Sequence, residues 1–242
     1  MKNDSFQKIV KDIKSFLELE KEAGLNEAIL KPVIKHVAKA VSSKEPHPVE
    51  EACPIKDKGE ALEQLKASVL NCTECALSKS RRNPVFGEGN PDADLMFIGE
   101  APGLQEDIQA RPFVGKAGIL LTKIIEAMGL RREDVYIGNC LKCRPPQNRN
   151  PLPSEIVACR EFFMKQIKII NPRLICCLGK FASQTVLMSE ESISRLRGKF
   201  YNFENIKVMP TFHPAYLLRN PQEKRLVWDD MKKVRDFLKE RS

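Results

Sequence analysis

Apolar residues recur at helical spacing in two stretches at the start of the chain: Phe6, Ile9, Val10, Ile13, Phe16 and Leu17, then Leu25, Ile29, Leu30, Val33, Ile34 and Val37. Gly24 separates them, so the pattern predicts an N-terminal helical extension over residues 1–41, folded as a hairpin. Residues 42–58 hold three prolines and many charges with little periodicity, which reads as a linker. A helix from about Glu60 to Leu70 opens the remaining domain, residues 59–242. There the pattern changes. Short, nearly continuous apolar runs at 94–99, 135–139, 173–179 and 206–211 are bounded by Gly, Asn or Pro, as in strands buried on both faces. Helical periods fall between them at 116–129, 154–170 and 180–189, and a last amphipathic helix covers 222–240. This alternation predicts an α/β fold, a three-layer α/β/α sandwich around a central, mostly parallel four-stranded sheet. In such sheets the working residues sit on loops beyond the carboxyl ends of the strands.

Composition narrows the setting. No run approaches the roughly 18 apolar residues of a membrane span, and the first residues lack a secretory h-region, so the chain reads as cytoplasmic, with no membrane partner. Eight cysteines in such a chain stay reduced, which favours metal binding over disulfides. Residues 1–70 hold 12 basic and 12 acidic side chains, whereas residues 71–242 hold 28 and 20. The whole excess lies beside the strand loops and suits either a polyanionic partner or a merely solvated basic surface.

Each loop offers chemistry and a plainer alternative. Gly99-Glu100-Ala101-Pro102-Gly103, followed by Glu106-Asp107, is a fixed acidic turn that suits a ligand site or simply a helix start. Phe113 lies in a Pro-Phe-Val-Gly loop, as a core ring or a stacking platform. Asn139 ends the second strand with both a donor and an acceptor, for a base edge or for its own turn. Of the three histidines only His213 follows a core strand, in a run ending Leu217-Leu218-Arg219. Among the cysteines, Cys72-x-x-Cys75 and Cys140-x-x-Cys143 make a four-Cys zinc set by spacing alone, with Cys159 as a further candidate.

Taken together these loops resemble the family 4 uracil-DNA glycosylases, the iron–sulfur branch of the uracil-DNA glycosylase superfamily. The likeness runs from about Cys72 to Leu238. It rests on Gly99-Glu100-Ala101-Pro102-Gly103 with Glu106-Asp107, on Pro112-Phe113-Val114-Gly115, on Asn139 with Lys142-Cys143-Arg144-Pro145-Pro146, and on His213-Pro214-Ala215-Tyr216-Leu217-Leu218-Arg219. Ala110 stands where the family commonly has glycine, and Cys140 where it usually has an aliphatic residue. No Arg-rich, His-bearing insertion follows Gly115, unlike the branch that traps DNA covalently.

The resemblance implies a monofunctional enzyme that flips uracil out of DNA, single- or double-stranded, and hydrolyses its glycosidic bond to begin base excision repair. Glu100 positions water and His213 supports charge on uracil O2. Gly103, Glu106, Phe113 and Asn139 hold the base, with Glu106 against its C5 edge. Leu217 or Leu218 wedges into the stack, and Arg219 grips phosphate. It further implies a structural 4Fe-4S cluster on Cys72, Cys75, Cys143 and Cys159 in place of zinc, leaving Cys140 as a small buried residue. No lysine in these loops suits a Schiff base, so strand cleavage is not expected. Residues 1–41, within the charge-balanced first 70, suit packing, or binding a repair or replication protein. Two rivals stand: a broader deaminated-base or mismatch glycosylase on the same fold, and a non-catalytic zinc-stapled DNA-binding protein.

Overall fold

The computed structural model describes residues 57–240. The predicted N-terminal hairpin and nearly all of the linker lie outside that range. The first helix, α1 (Lys58–Leu70), starts on the last residue assigned to the linker, because Asp57 caps it: its Oδ1 accepts the Glu60 N–H at 2.9 Å. Then follow β1 (Glu88–Gly89), β2 (Leu95–Gly99), α2 (Leu104–Gln109), α3 (Lys116–Ala127), β3 (Tyr136–Asn139), α4 (Pro153–Ile170) and β4 (Leu174–Leu178). The chain ends with α5 (Lys180–Leu187), α6 (Ile193–Leu196), β5 (Tyr201–Phe203), β6 (Ile206–Thr211), α7 (Pro214–Arg219) and α8 (Lys224–Lys239). Among the described residues no helix is long and apolar enough to cross a membrane.

The strands form one sheet in the order β1-β3-β2-β4-β6-β5. The four predicted strands make its parallel centre, β3-β2-β4-β6. The sheet has six strands rather than four, since β1 and β5 add antiparallel edges of two and three residues. Neither edge is fully buried, and neither is long enough to leave an apolar run. Pro210 is tolerated in β6 because the β5 ladder stops at Val208; beyond it only the Pro210 carbonyl is used, accepting the Gly198 N–H at 3.1 Å.

Successive residues of β2 feed opposite cores. Met96 and Ile98 face α1 and α4, packing with Leu65, Phe163 and Ile167. Leu95 and Phe97 face α3 and α8, packing with Leu121, Ile125, Met231 and Val234. These two cores separate the three layers read from the sequence. Register then places the site. Gly99 pairs with Asn139, and Leu178 with Thr211, so the carboxyl ends of neighbouring strands finish level. The ladder continues past them, with Cys140 N–H donating to Gly99 O and Leu141 N–H to Glu100 O, each at 3.0 Å. Glu100 is thereby fixed beside Asn139.

Candidate functional site

A cavity of about 470 Å³ opens at those strand ends. It brings together Glu100, Gly103, Glu106, Phe113, Asn139 and His213, with the exposed Arg219 also on its wall. Asn139 is only 2% exposed, and its Oδ1 has no hydrogen-bond donor among the described residues. A buried acceptor left open costs about 1–3 kcal/mol, so this atom is poised for a donor entering the cavity. Gly99 makes room for it: a Cβ there would collide with both Asn139 Oδ1 and the Phe113 ring.

Phe113 is held in a left-handed conformation, φ 51°, which a bulky residue rarely adopts. Its neighbours impose it. Glu106 Oε1 accepts the N–H groups of Val114 at 2.9 Å and Gly115 at 2.8 Å, and Arg132 donates to Pro112 O at 2.5 Å. Gly118 lets α3 press against the Phe113 carbonyl, where a Cβ would clash. Glu106 therefore lines the cavity while its carboxylate ties down the loop that presents the ring. Asp107, one residue on, is buried and accepts the Arg82 N–H at 3.0 Å. Both acidic residues lie in the first turn of α2, the helix start that the turn also suited. Ala110 ends α2 at φ 56°, the bend for which glycine is the unstrained choice.

His213 caps α7, and its Nδ1 accepts the Ala215 N–H at 3.1 Å. That bond leaves the ring proton on Nε2 as a donor. The ring sits deep among protein atoms while part of it stays open to the cavity. Burial, and then Arg219, push its pKa down to about 4, so it is neutral at neutral pH. Its ring lies 5.7 Å from that of Phe113, centroid to centroid. Behind it, Thr211 Oγ1 donates to Asp230 Oδ2 and Arg197 to Asp230 Oδ1, both at 2.6 Å, which locks the end of β6. Burial raises the Glu100 carboxyl to about 7.

The leucine pair divides. Leu217 is 1% exposed and packs in the core with Phe212 and Val227, so it has no access to DNA and its assignment there is corrected. Leu218 is 44% exposed, next to the exposed Arg219. Sequence reasoning also missed the loop after β3. Pro145, Asn148, Arg149 and Asn150 line the cavity, and Gln147 and Asn148 both take positive φ. The available signal was Gln-Asn between prolines, since asparagine tolerates that backbone. Lys142 was named within a motif, but its role was missed. It is fully buried, and its Nζ donates to Asn139 O at 2.8 Å and to Gln166 Oε1. Gln166 in turn donates to Phe86 O at 2.9 Å and to the Tyr136 hydroxyl at 3.0 Å.

Cys72, Cys75, Cys143 and Cys159 line a second, smaller cavity together with Arg81 and Phe162. Cys140 does not line it; this thiol is buried elsewhere in the core. Among the described residues no three Cys, His, Asp or Glu side chains converge as ligands of a single ion.

Residues 86–232 match the model of the uracil DNA glycosylase superfamily. A type-4 uracil-DNA glycosylase of Thermotoga maritima is 47% identical over 184 residues, covering 74% of this chain and 96% of that protein. One of Archaeoglobus fulgidus is 43% identical over 183 residues, 72% of this chain and 92% of that protein. A type-5 uracil-DNA glycosylase of Pyrobaculum aerophilum is more distant, 28% identical over 182 residues, 62% of this chain and 80% of that protein. With nearly the full length of the type-4 proteins matched, the chain belongs to the uracil DNA glycosylase superfamily, in its type-4 branch.

Proposed function

We propose that this protein is a monofunctional uracil-DNA glycosylase acting in base excision repair. The observation that carries the reading is the unpaired Asn139 Oδ1, buried in one cavity with a neutral His213 and the fixed Phe113 ring. A flipped uracil lies against Phe113, gives its N3–H to Asn139 Oδ1 and takes a bond from the same amide at O4. Cytosine carries an acceptor at N3 and a donor at its amino group, so both contacts fail. Each polar group then left unpaired costs about 1–3 kcal/mol, enough for strong discrimination.

Bond cleavage places negative charge on uracil and positive character on the sugar. His213 Nε2–H donates toward O2 as that charge grows, and a neutral donor suffices because its orientation is already fixed by the Ala215 N–H. Glu100, as the carboxylate, orients the attacking water and faces the sugar cation. Leu218 fills the gap in the stack, and Arg219 meets phosphate.

The four cysteines fit an iron–sulfur cluster. Four cysteines lining one cavity suit a cubane, and the zinc alternative needs Cys140, which does not line that cavity. When bound, such a cluster supplies rigidity; the bond-breaking groups are those of the first cavity. Residues 1–41, within the charge-balanced first 70, are assigned to packing or protein partners rather than DNA. Uracil release from labelled oligonucleotides tests the function. We expect release from both single and double strands containing uracil, none from matched cytosine or thymine strands, and a large loss in Asn139→Ala. No release from any uracil strand sinks the proposal.

A further inference from the structure

Beyond the sulfurs themselves, the cysteine cavity has one feature that the function leaves unused. Arg81 stands on its wall, six positions after Cys75. One arm of its guanidinium donates to Cys143 Sγ at 2.9 Å. The other donates to Cys72 O at 2.8 Å and to Leu70 O at 3.4 Å. A single fork thus joins the Cys72 half of the site to the Cys143 half, which lies 62 positions from the arginine in sequence. Cys159 Sγ accepts a different donor, the Lys142 backbone N–H, at 3.2 Å. Two other charged side chains lie on the same wall, the exposed Glu74 and the buried Lys142. The Lys142 ammonium is directed at Asn139 O and Gln166, so Arg81 holds the cationic group bonded directly to one of the four sulfurs.

Charge makes that contact consequential. A 4Fe-4S core in its oxidised resting form, with four thiolates, carries a net charge of minus two, and one more negative charge after reduction. A guanidinium against one thiolate favours the more negative state and weakens the pull of solvent protons on that sulfur. We propose that Arg81 sets the charge balance of the cluster, raising its reduction potential and slowing loss of iron. This rests on the iron–sulfur reading above. A purely structural arginine, one that only ties Leu70 and Cys72 together, would affect folding and leave the potential alone.

The experiment uses the full chain, loaded anaerobically with iron and sulfide. Wild type is assayed first and should hold about four irons per chain with broad absorbance near ~400 nm. A protein holding zinc, or no iron, overturns the cluster and this inference together, whatever its activity on uracil. Given a loaded wild type, Arg81→Gln should lose iron to a chelator about 10- to 100-fold faster and reduce at a more negative potential. Arg81→Lys keeps the charge and should retain the wild-type potential while losing iron faster. Lys66→Gln removes the same charge from α1, where the lysine pairs with Glu63, and should change neither reading. Wild-type potential and iron loss in Arg81→Gln refute the proposal while leaving the cluster standing. If Arg81→Gln does not fold, Arg81→Met, which removes the charge and keeps most of the volume, decides: a potential more negative than wild type with faster iron loss upholds the proposal, and a wild-type potential refutes it.

Discussion

Glu100 and His213 face the same cavity, and burial moves each toward its uncharged form. For the carboxylate this means a pKa of about 7, and for the imidazole about 4. The pH dependence follows from those signs. Glu100 acquires its charge only above its pKa, so uracil release should climb through one ionisation near 7 and then level off. His213 is neutral throughout that range and adds no limb of its own. Single-turnover release measured from about pH 5 to 9 should give this half-bell in wild type and a flat, slower profile in Glu100→Gln. An unchanged limb in Glu100→Gln would assign it to another group. The positions of both residues were legible in the sequence, because a strand followed by Gly-Glu or by Thr-Phe-His marks a strand end. The His213 tautomer was not, since it depends on a bond to Ala215 N–H that appears only once α7 forms.

At the scale of elements, the run after β6 is the informative case. As a loop, Leu217 and Leu218 are equivalent; as the six-residue helix α7, they diverge by about 100° and only one can face out. Burial settles it, 1% against 44%. Leu217→Ala should cost about 2–5 kcal/mol of stability in urea unfolding. Leu218→Ala should stay within about 0.5 kcal/mol of wild type. Its activity should fall on duplex uracil and hold on single strands, which have no stack to fill. Equal loss on both substrates would remove Leu218 from the wedge role.

The same logic applies behind β3. In sequence Lys142 is only one member of a motif with no role attached, and the fold buries it against Asn139 O and Gln166. Lys142→Met strands both acceptors at about 1–3 kcal/mol each. It should lower stability and slow uracil release beyond what the lost stability explains, because the Asn139 backbone loses its anchor. A variant destabilised but fully active on the folded fraction would make Lys142 structural only.

At the scale of the molecule, the parallel centre of the sheet and both layers of helices were readable because long, doubly buried strands leave continuous apolar runs. The edge strands β1 and β5 escaped because their pairing is set by neighbours and not by their own pattern. Net charge was legible too, and it leads to the last expectation. The basic excess, 28 residues against 20 beyond residue 70, lies on the segment that builds the cavity. Affinity for uracil DNA should therefore fall with salt, log K against log salt sloping by about −0.9 per phosphate on duplex and −0.7 on single strands. Binding measured with Glu100→Gln, to hold substrate intact, gives the number of phosphates neutralised. Arg219 is exposed on the cavity wall, so Arg219→Gln in that background should reduce the slope by about 1 and weaken all sequences alike. An unchanged slope would mean that Arg219 meets no phosphate, leaving it the lesser part that it plays, after burial, in keeping His213 neutral.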